Sequence, residues 1–379
     1  MQTNELNRDT LRRLAELRPD RGKVVSLYLN LDPTEFATPQ ARSTQVHSLV
    51  DDGDRRVKEL DDLSRDDKKA LDSDLAELRD FLDGAGFSPQ GAHGVAIFRS
   101  SPADLFELIR LPRAVAPRVF IDDSPLIEPL ADMVSAGSWA VLLVSRRTAR
   151  LLRGSPARLH EVDSFREQVQ GERDEGSQAV DQHSADAEIK DQLTHAAEEL
   201  HRRFQRRSFD RLLVGCQAEL FGGLESKLHA DLSRRLVGRV DVEVERSSPQ
   251  EVLEAVAPVM VEQDRRRERE ALDRMADGLG AGGRGTAGLD ATLAMLNERR
   301  VEILMFEDGF SAPGVICGSC GWVGTAAASC PVDGGSLEPR EDVIESAVEL
   351  AIEQSAEVIV VHHHDDLGQR GSIGAVLRF

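Results

Sequence analysis

The 379-residue chain lacks any apolar run approaching the roughly 18 residues that a membrane-spanning helix requires, so we expect no membrane span. Residues 1–13 are polar and lack the apolar segment of a signal peptide, which predicts a cytoplasmic protein. Positive charge is also scarce, because 47 basic residues face 67 acidic ones and the net charge is −20. Binding of nucleic acid through bulk positive charge is therefore not expected, and we predict neither a membrane nor a DNA partner.

Cysteine is scarce as well. The chain has four cysteines, three of them between residues 317 and 330, which does not resemble a disulfide framework. The segment CGSCGWVGTAAASCPVD gives Cys317 and Cys320 a spacing that lets two thiolates of one turn bind one ion, and Cys330 and Asp333 repeat that spacing. Zinc accepts tetrahedral sulfur, nitrogen and oxygen ligands, so the segment predicts a structural, not catalytic, zinc site. Two alternatives stay open: a ribbon that has lost its metal, and a fourth ligand from one of the three histidines at 362–364.

The length predicts two to three domains, at roughly 150 residues per domain. Strand and helix candidates follow one another along the chain, which indicates the α/β class. We expect an N-terminal α/β domain over residues 1–135, a central domain over 136–277 and a C-terminal α/β domain over 278–379. A small cysteine-rich insert at 314–336 belongs to the last of these.

Local patterns predict the individual elements. Asp163–Gln178 has no periodicity and predicts an exposed loop. Pro258 is expected to kink the helix around it or to start a new one. The glycine-rich residues 278–288 predict a flexible connector, since no strand precedes them and the GKS/T of a phosphate loop is absent. Strands are predicted at 24–31, 94–98, 105–111, 118–121, 140–145, 149–154, 157–162, 211–216, 239–244, 301–306, 358–361 and 374–379. Helices are predicted at 40–63, 66–84, 125–134, 180–207, 219–236, 249–275, 289–299 and 340–354.

Two further features are candidates for function. Gly176-Ser177-Gln178 ends the exposed loop just before a long helix, although Ser177 would also serve as an ordinary helix N-cap. A stripe of arginines follows on that helix, for which a solvated helix face is the alternative interpretation. The stripe consists of Arg202, Arg203, Arg206 and Arg207. Cys216, at a strand end, is expected to be a small buried residue and not a nucleophile.

The order of these features resembles the archaeo-eukaryotic class-one release factor and Pelota superfamily, specifically its bacterial branch. AVLLVSRRTARLLRG resembles the start of the family's central domain, and Gly176-Ser177-Gln178 falls where the family places a Gly-Gly-Gln loop. GTAGLDATLAMLNERRVEILMF resembles the opening of the third domain, and the final GSIGAVLRF resembles the family's closing GIGAILRY strand. The cysteine-rich insert lies where archaeal release factors carry a zinc-binding minidomain. The resemblance implies a three-domain, release-factor-like architecture with a zinc-ribbon-like insert.

The resemblance also implies a function at the ribosomal A site, with ribosomal RNA and peptidyl-tRNA as partners. In release factors the loop glutamine positions a water against the ester that links peptide to tRNA. Carried over, Gln178 orders the water, Gly176 shapes the loop and Ser177 replaces the middle glycine, as in Vms-type peptidyl-tRNA hydrolases. The stripe of arginines is the expected RNA contact, and the family makes a translational GTPase a plausible partner.

The sequence departs from the family in two ways. The stop-codon motifs NIKS and YxCxxxF are absent, and the stretch comparable to the first reads ARST at 41–44. The segment 171–191 carries seven acidic and two basic residues, a charge that phosphate repels. Three hypotheses follow: a codon-independent peptidyl-tRNA hydrolase in ribosome rescue, a non-catalytic ribosome factor for hibernation (Balon-like) or rescue, and a ribosome-independent adaptor that uses the zinc insert for protein contacts.

Overall fold

The computed structural model divides the chain into two compact units. One consists of Met1–Ser135 together with Arg265–Phe379, and the other of Ala136–Asp264. The described residues are 2–4, 6–19, 21–31, 39–60, 63–84, 87, 94–111, 114–135, 137–155, 158–166, 181–280 and 282–379. Among the helices of these ranges, none combines the length and the apolar content needed to cross a membrane. The α/β class is confirmed, and the three-domain boundaries stay a prediction.

The first unit begins with a five-stranded sheet of order β1-β4-β3-β2-β5. Its elements are β1 (Gln2–Asn4), α1 (Arg8–Ala15), β2 (Val24–Asn30), α2 (Pro39–Glu59), α3 (Arg65–Asp83), β3 (Gly94–Ser100), β4 (Leu105–Leu111), β5 (Arg118–Asp122) and α4 (Glu128–Ser135). Alternate residues of β2 reach opposite faces, so that Leu27 packs with α2 and α3 while Tyr28 packs with α1 and α4. All seven residues of β2 are buried, which accounts for its largely apolar sequence VVSLYLN. Ser64 caps α3, since its Oγ accepts the N–H of Asp67 at 3.1 Å.

The second unit is a five-stranded sheet of order β10-β9-β6-β7-β8 between two layers of helices. Its elements are β6 (Trp139–Val144), β7 (Thr148–Ser155), β8 (Arg158–Arg166), α5 (Asp181–Arg206), β9 (Arg211–Gly215), α6 (Ala218–Glu225), α7 (Ala230–Ser233), β10 (Leu236–Val240) and the first part of α8 (Pro249–Asp277). One face of β6 packs against Ala196 and Leu200 of α5. The other face packs against Val252 and Val256 of α8.

The first unit resumes with the second part of α8 and a four-stranded sheet of order β11-β17-β12-β16. The remaining elements are β11 (Gly285–Ala287), α9 (Leu289–Asn297), β12 (Val301–Glu307), β13 (Gly314–Cys317), β14 (Val323–Gly324), β15 (Leu337–Arg340), α10 (Val343–Glu353), β16 (Glu357–Val361) and β17 (Ile373–Leu377). Strands β14, β13 and β15 form a separate small sheet in the predicted cysteine-rich insert.

One buried apolar cluster joins the N-terminal and C-terminal parts of this unit. Leu14 of α1, Tyr28 of β2 and Leu130 of α4 belong to the same cluster as Val348 and Ala351 of α10. At roughly 25 cal/mol for each Å² of apolar surface removed from water, such continuity opposes separation of the two parts.

The structure differs from the sequence predictions around residue 226. The predicted helix 219–236 is two short helices, because the side chain of His229 accepts the N–H of Asp231 and begins a new helix. The strand predicted at 239–244 is shifted to Leu236–Val240, where it pairs in parallel with β9. Part of the predicted loop, residues 163–166, continues β8, and the remaining predicted loop residues lie outside the described ranges. Pro258 lies inside the single helix α8 and starts no new helix.

The glycine-rich residues near 280 form a tight turn into β11 and not an extended connector. The N–H of Gly285 donates to the carbonyl of Gly278 at 2.9 Å. A Cβ at Gly283 would lie 2.0 Å from that same carbonyl oxygen, and a Cβ at Gly285 would lie 2.1 Å from the carbonyl oxygen of Met275. Close backbone packing, not phosphate binding, therefore accounts for these two glycines.

Candidate metal centre

The four predicted ligands converge in one cluster. The ligand atoms of Cys317, Cys320, Cys330 and Asp333 all lie within 4.8 Å of one another. The Cys320 and Cys330 sulfurs are 3.4 Å apart, and a carboxylate oxygen of Asp333 lies 3.5 Å from the sulfur of Cys317. Cys317 and Cys330 are buried, whereas Cys320 and Asp333 are exposed. Two ligands are thus buried and two lie at the surface, and the protein supplies the four ligands that a closed site requires.

The two halves of the cluster have the same backbone geometry. In the first turn, the N–H of Cys317 donates to the carbonyl of Trp322, and the N–H of Gly321 donates to the carbonyl of Cys317. In the second turn, Cys330 and Gly334 make the corresponding bonds, with the carbonyls of Gly335 and Cys330. Gly321 and Gly334 both have φ of 73°, a left-handed value that favours glycine. Asp333 therefore occupies the position that corresponds to Cys320.

Backbone N–H groups are directed at the ligand atoms. Val332 donates to the sulfur of Cys330 at 3.4 Å, and Gly335 donates to the carboxylate of Asp333 at 2.9 Å. The Gly335 bond comes first among the causes that hold the pKa of Asp333 below its usual value. The N–H of Cys320 similarly lowers the pKa of Cys317. These hydrogen bonds therefore favour the anionic forms of Cys317 and Asp333, and the anionic form is the one that binds metal.

Cys320 resists ionisation because the other three ligands lie so close to it. The Trp322 N–H lowers the pKa of Cys320, but loss of hydration and the neighbouring cysteine and aspartate groups raise it to about 12. Four anionic ligands within a few ångströms repel one another, and a divalent cation offsets that repulsion. The donor set fits a metal ion, and the cluster could bind one.

The insert is attached to the rest of the unit by Asn297 at the end of α9. Its side-chain amide donates to the carbonyl of Val323 at 2.7 Å and its oxygen accepts the N–H of Val323 at 3.0 Å. Val323 itself is fully buried in the shared apolar cluster. The sequence patterns gave no indication of this anchor, because it depends on a contact 26 residues along the chain.

The three consecutive histidines have other partners. Nδ1 of His363 lies 2.7 Å from the buried carboxylate of Glu268, and Nδ1 of His362 lies 3.4 Å from Asp308. Nε2 of His364 lies 3.0 Å from the carbonyl of Arg265. The cluster around Cys317 includes none of the three, so the geometry favours Asp333 as the fourth ligand.

The predicted arginine stripe is only partly open to solvent. Arg202 and Arg203 both bind the carboxylate of Glu199, which is 7% exposed. Arg206 and Arg207 are exposed at the end of α5. The helix therefore uses two of its arginines to neutralise a buried carboxylate, and the role of the stripe in RNA binding stays a prediction.

Of the remaining residues considered in the sequence analysis, the structure describes Cys216 but not the Gly-Ser-Gln triplet. Gly176, Ser177 and Gln178 lie outside the described residues. Cys216 is buried, and burial raises the pKa of its thiol, as expected of a structural cysteine.

Comparison with known families finds a match in the middle of the chain. Residues 125–260 match the family model described as bacterial archaeo-eukaryotic release factor family 10. The chain is therefore similar to this family over 136 of its 379 residues. The match covers the whole β6–β10 sheet and α5, together with the segment that contains Gly176–Gln178.

Solved structures of the superfamily are distantly similar to the chain. The archaeal translation termination factor aRF1 is 16% identical over 99% of both chains, with a TM-score of 0.26. A ribosome-bound archaeal Pelota, in a model with ABCE1, is 13% identical over 100% of this chain and 95% of its own, with a TM-score of 0.42. Dom34 of S. cerevisiae is 10% identical over 77% of this chain and 81% of its own, with a TM-score of 0.39. At these scores no residue role is transferred from any of the three.

Proposed function

We propose that the chain is a ribosome-binding translation factor of the release and rescue type that acts without reading a stop codon. The family match over residues 125–260 is the observation that carries the proposal. Codon independence is supported by the absence of NIKS and YxCxxxF, and the stretch at 41–44 that is comparable to NIKS belongs to helix α2.

The proposed reaction is hydrolysis of peptidyl-tRNA. A water held by the side-chain amide of Gln178 attacks the ester carbonyl carbon, and a backbone N–H stabilises the oxyanion that forms. The bond from that carbon to the ribose oxygen then breaks, and the ribose oxygen leaves with a proton. Gly176 gives the loop its backbone freedom, and Ser177 lies between Gly176 and Gln178 in the sequence.

Arginines on α5 are the proposed contact with ribosomal RNA. Arg206 and Arg207 are exposed, and we assign them the larger share of the contact, while Arg202 and Arg203 also hold Glu199. Phosphate contacts release counterions, so ribosome affinity is expected to fall as salt rises. Charge reversal at Arg206 and Arg207 should weaken co-sedimentation with ribosomes, and an unchanged affinity would contradict the assignment. A translational GTPase is part of the proposal as a delivery partner.

The metal in this proposal is zinc in a structural role. The three sulfurs and one carboxylate suit zinc, and all four positions are supplied by the protein. The two turns would then be held together by the ion, so that the insert presents a fixed surface. No open coordination position remains for a substrate.

A non-catalytic role in hibernation or rescue is the second candidate, and one observation favours it. Residues 171–191 carry seven acidic and two basic residues, and such a charge is unfavourable beside ribosomal RNA. In that role the Gln178 segment would occupy space in the A site without catalysing hydrolysis.

Peptidyl-tRNA hydrolysis on purified ribosomes separates the two roles. Hydrolysis that is lost in Gln178→Ala while co-sedimentation is kept supports the hydrolase. Co-sedimentation without hydrolysis, in both the wild type and the variant, supports the non-catalytic factor. Failure to co-sediment at low salt contradicts both and leaves an adaptor. Cys216→Ser serves as a control, because Cys216 is buried and belongs to neither the proposed loop nor the stripe of arginines.

A further inference from the structure

The seam between the N-terminal part of the first unit and helix α10 contains charged groups beside its apolar cluster. Apolar residues of α1 and α4 meet those of α10 in one buried cluster. Two glutamates of α10, one helical turn apart, point into the edge of the same seam. They are Glu345 and Glu349, with side chains 14% and 13% exposed.

Glu345 faces β5 of the N-terminal sheet. Its carboxyl group is bonded to the guanidinium of Arg118, which also lies 3.9 Å from Glu128 at the start of α4. Burial raises the pKa of Glu345 to about 8, even though Arg118 acts in the opposite direction. Burial thus favours the protonated form of this carboxyl group.

Glu349 faces the segments that follow α1 and β5. It accepts a hydrogen bond from the Oγ of Ser124 at 2.7 Å and one from the guanidinium of Arg18 at 2.9 Å. Burial raises its pKa to about 7, again against the effect of the arginine. Both glutamates therefore bridge segments that are more than 200 residues apart in the chain.

Burial, more than the surrounding charges, makes ionisation of both glutamates unfavourable. Arg118 and Arg18 favour ionisation, whereas Asp122, Glu128, Asp342 and Glu353 oppose it. Lys23 pairs with Asp122 and Asp123, and Arg340 pairs with Asp122. Helix α1, which also packs against α10, carries Arg8, Asp9, Arg12 and Arg13, of which Arg12 donates to Ser355 and Arg13 pairs with Glu107. Helix α10 also packs against α9, β12, β13, β14 and β16. Strand β14 has no ionisable side chain, and β13 has only that of Cys317. The acidic side chains of the others have partners elsewhere: Asp290 with Thr325, Glu298 with Arg300, Glu302 with Arg274 and Glu357 with Arg267. Glu307, on β12, lies beside Gly368.

We propose that Glu345 and Glu349 form a proton-sensitive latch, which holds the N-terminal part on α10 while both carboxyl groups are protonated and weakens when they ionise. The latch uses contacts of the first unit alone and does not rest on the proposed function. Its ligand is the proton, and its output is release of the N-terminal sheet from the C-terminal part.

The direction of the pH dependence follows from the raised pKa values. In the open state both carboxyl groups return towards the ordinary value of 4.5, so the closed state binds more protons than the open state. The contribution to closure is fully present below that value and is lost as pH rises through about 7 and then about 8. Between pH 6.5 and 8.5 the equilibrium constant for opening should rise on the order of 100-fold.

Hydrogen exchange of the α10 amides in the full chain tests the latch, after correction for the intrinsic pH dependence of exchange. The wild type should show the rise in opening between pH 6.5 and 8.5. In E345Q/E349Q, glutamine keeps the size of the protonated side chain and cannot ionise, so the rise should disappear while far-UV circular dichroism is unchanged. The single variants E345Q and E349Q should each lose part of the rise.

Glu353→Gln is the matched control. Glu353 is on the same helix and reaches the same Arg18 at 3.4 Å, but its side chain is 28% exposed. This variant should keep most of the wild-type rise, because both latch glutamates remain able to ionise. The proposal is overturned if opening of the wild type does not change with pH, if the double variant retains the wild-type rise, or if Glu353→Gln abolishes it.

Discussion

The metal centre and the latch are two concentrations of acidic groups in the same unit, and they are stabilised in different ways. At the metal centre, backbone N–H groups favour the anionic forms of Cys317 and Asp333, and a cation is needed to bring all four ligands together. At the latch, burial favours the neutral forms of Glu345 and Glu349. The difference lies in the surroundings of the acidic groups. At the metal centre, N–H groups of two tight turns donate to the ligands, whereas at the latch apolar helix faces surround the carboxyl groups.

The largest effect is expected from removing a buried metal ligand. Cys330→Ser should release the metal and destabilise the insert by several kcal/mol, because binding energy at a structural site is folding energy. Elemental analysis should find about one zinc per chain in the wild type and much less in the variant. Cys216→Ser, at a cysteine outside the cluster, should keep the metal. Absence of zinc from carefully purified wild-type protein would remove the metal centre and the comparison with it.

A smaller effect is expected at the exposed ligand. Asp333→Ala should weaken zinc binding at least tenfold, about 1.4 kcal/mol, since three ligands remain. Asp333→Cys should bind zinc at least as tightly as the wild type, because the second turn has the same geometry as the first. Competition with a chromophoric chelator measures both. Weaker binding by the cysteine variant would show that the two turns are not equivalent.

The turn glycines give a cleaner test of that equivalence. Gly321 and Gly334 both have φ of 73°, and a Cβ at either position would meet no atom within 4 Å. Alanine at each should therefore cost only the left-handed backbone penalty of roughly 1–2 kcal/mol. Thermal unfolding should show the same loss for Gly321→Ala and Gly334→Ala. Clearly unequal losses would contradict a matched pair of turns.

The two regions also differ in how far the sequence alone predicts them. The metal ligands lie within 17 residues, and the C-x-x-C spacing determines a local turn, so both the four residues and their convergence could be predicted. The latch joins Arg118 to Glu345 across 227 residues, and no local pattern indicates which surface α10 covers. Three glutamates at four-residue spacing in the largely apolar VIESAVELAIE were the only available sign, and the spacing does not tell which of them are buried. The break of the predicted helix 219–236 likewise depended on a cap at His229 that propensity does not reveal.

The smallest effect at neutral pH, and the sharpest distinction between the two regions, is expected at Arg118. If Glu345 is neutral at pH 6.5, Arg118→Ala removes one hydrogen bond to an uncharged group and should cost about 1 kcal/mol of unfolding free energy. A buried ion pair broken on one side would instead cost about 3–5 kcal/mol. The cost should grow towards pH 8.5, because the wild-type arginine then stabilises an ionised Glu345 that the variant leaves uncompensated. In Arg118→Ala/Glu345→Gln the growth with pH should vanish. Denaturant unfolding of the wild type, Arg118→Ala, Glu345→Gln and the double variant at the two pH values measures these costs. A large cost of Arg118→Ala at pH 6.5 would mean that this acidic cluster, like the metal centre, is held in its anionic form.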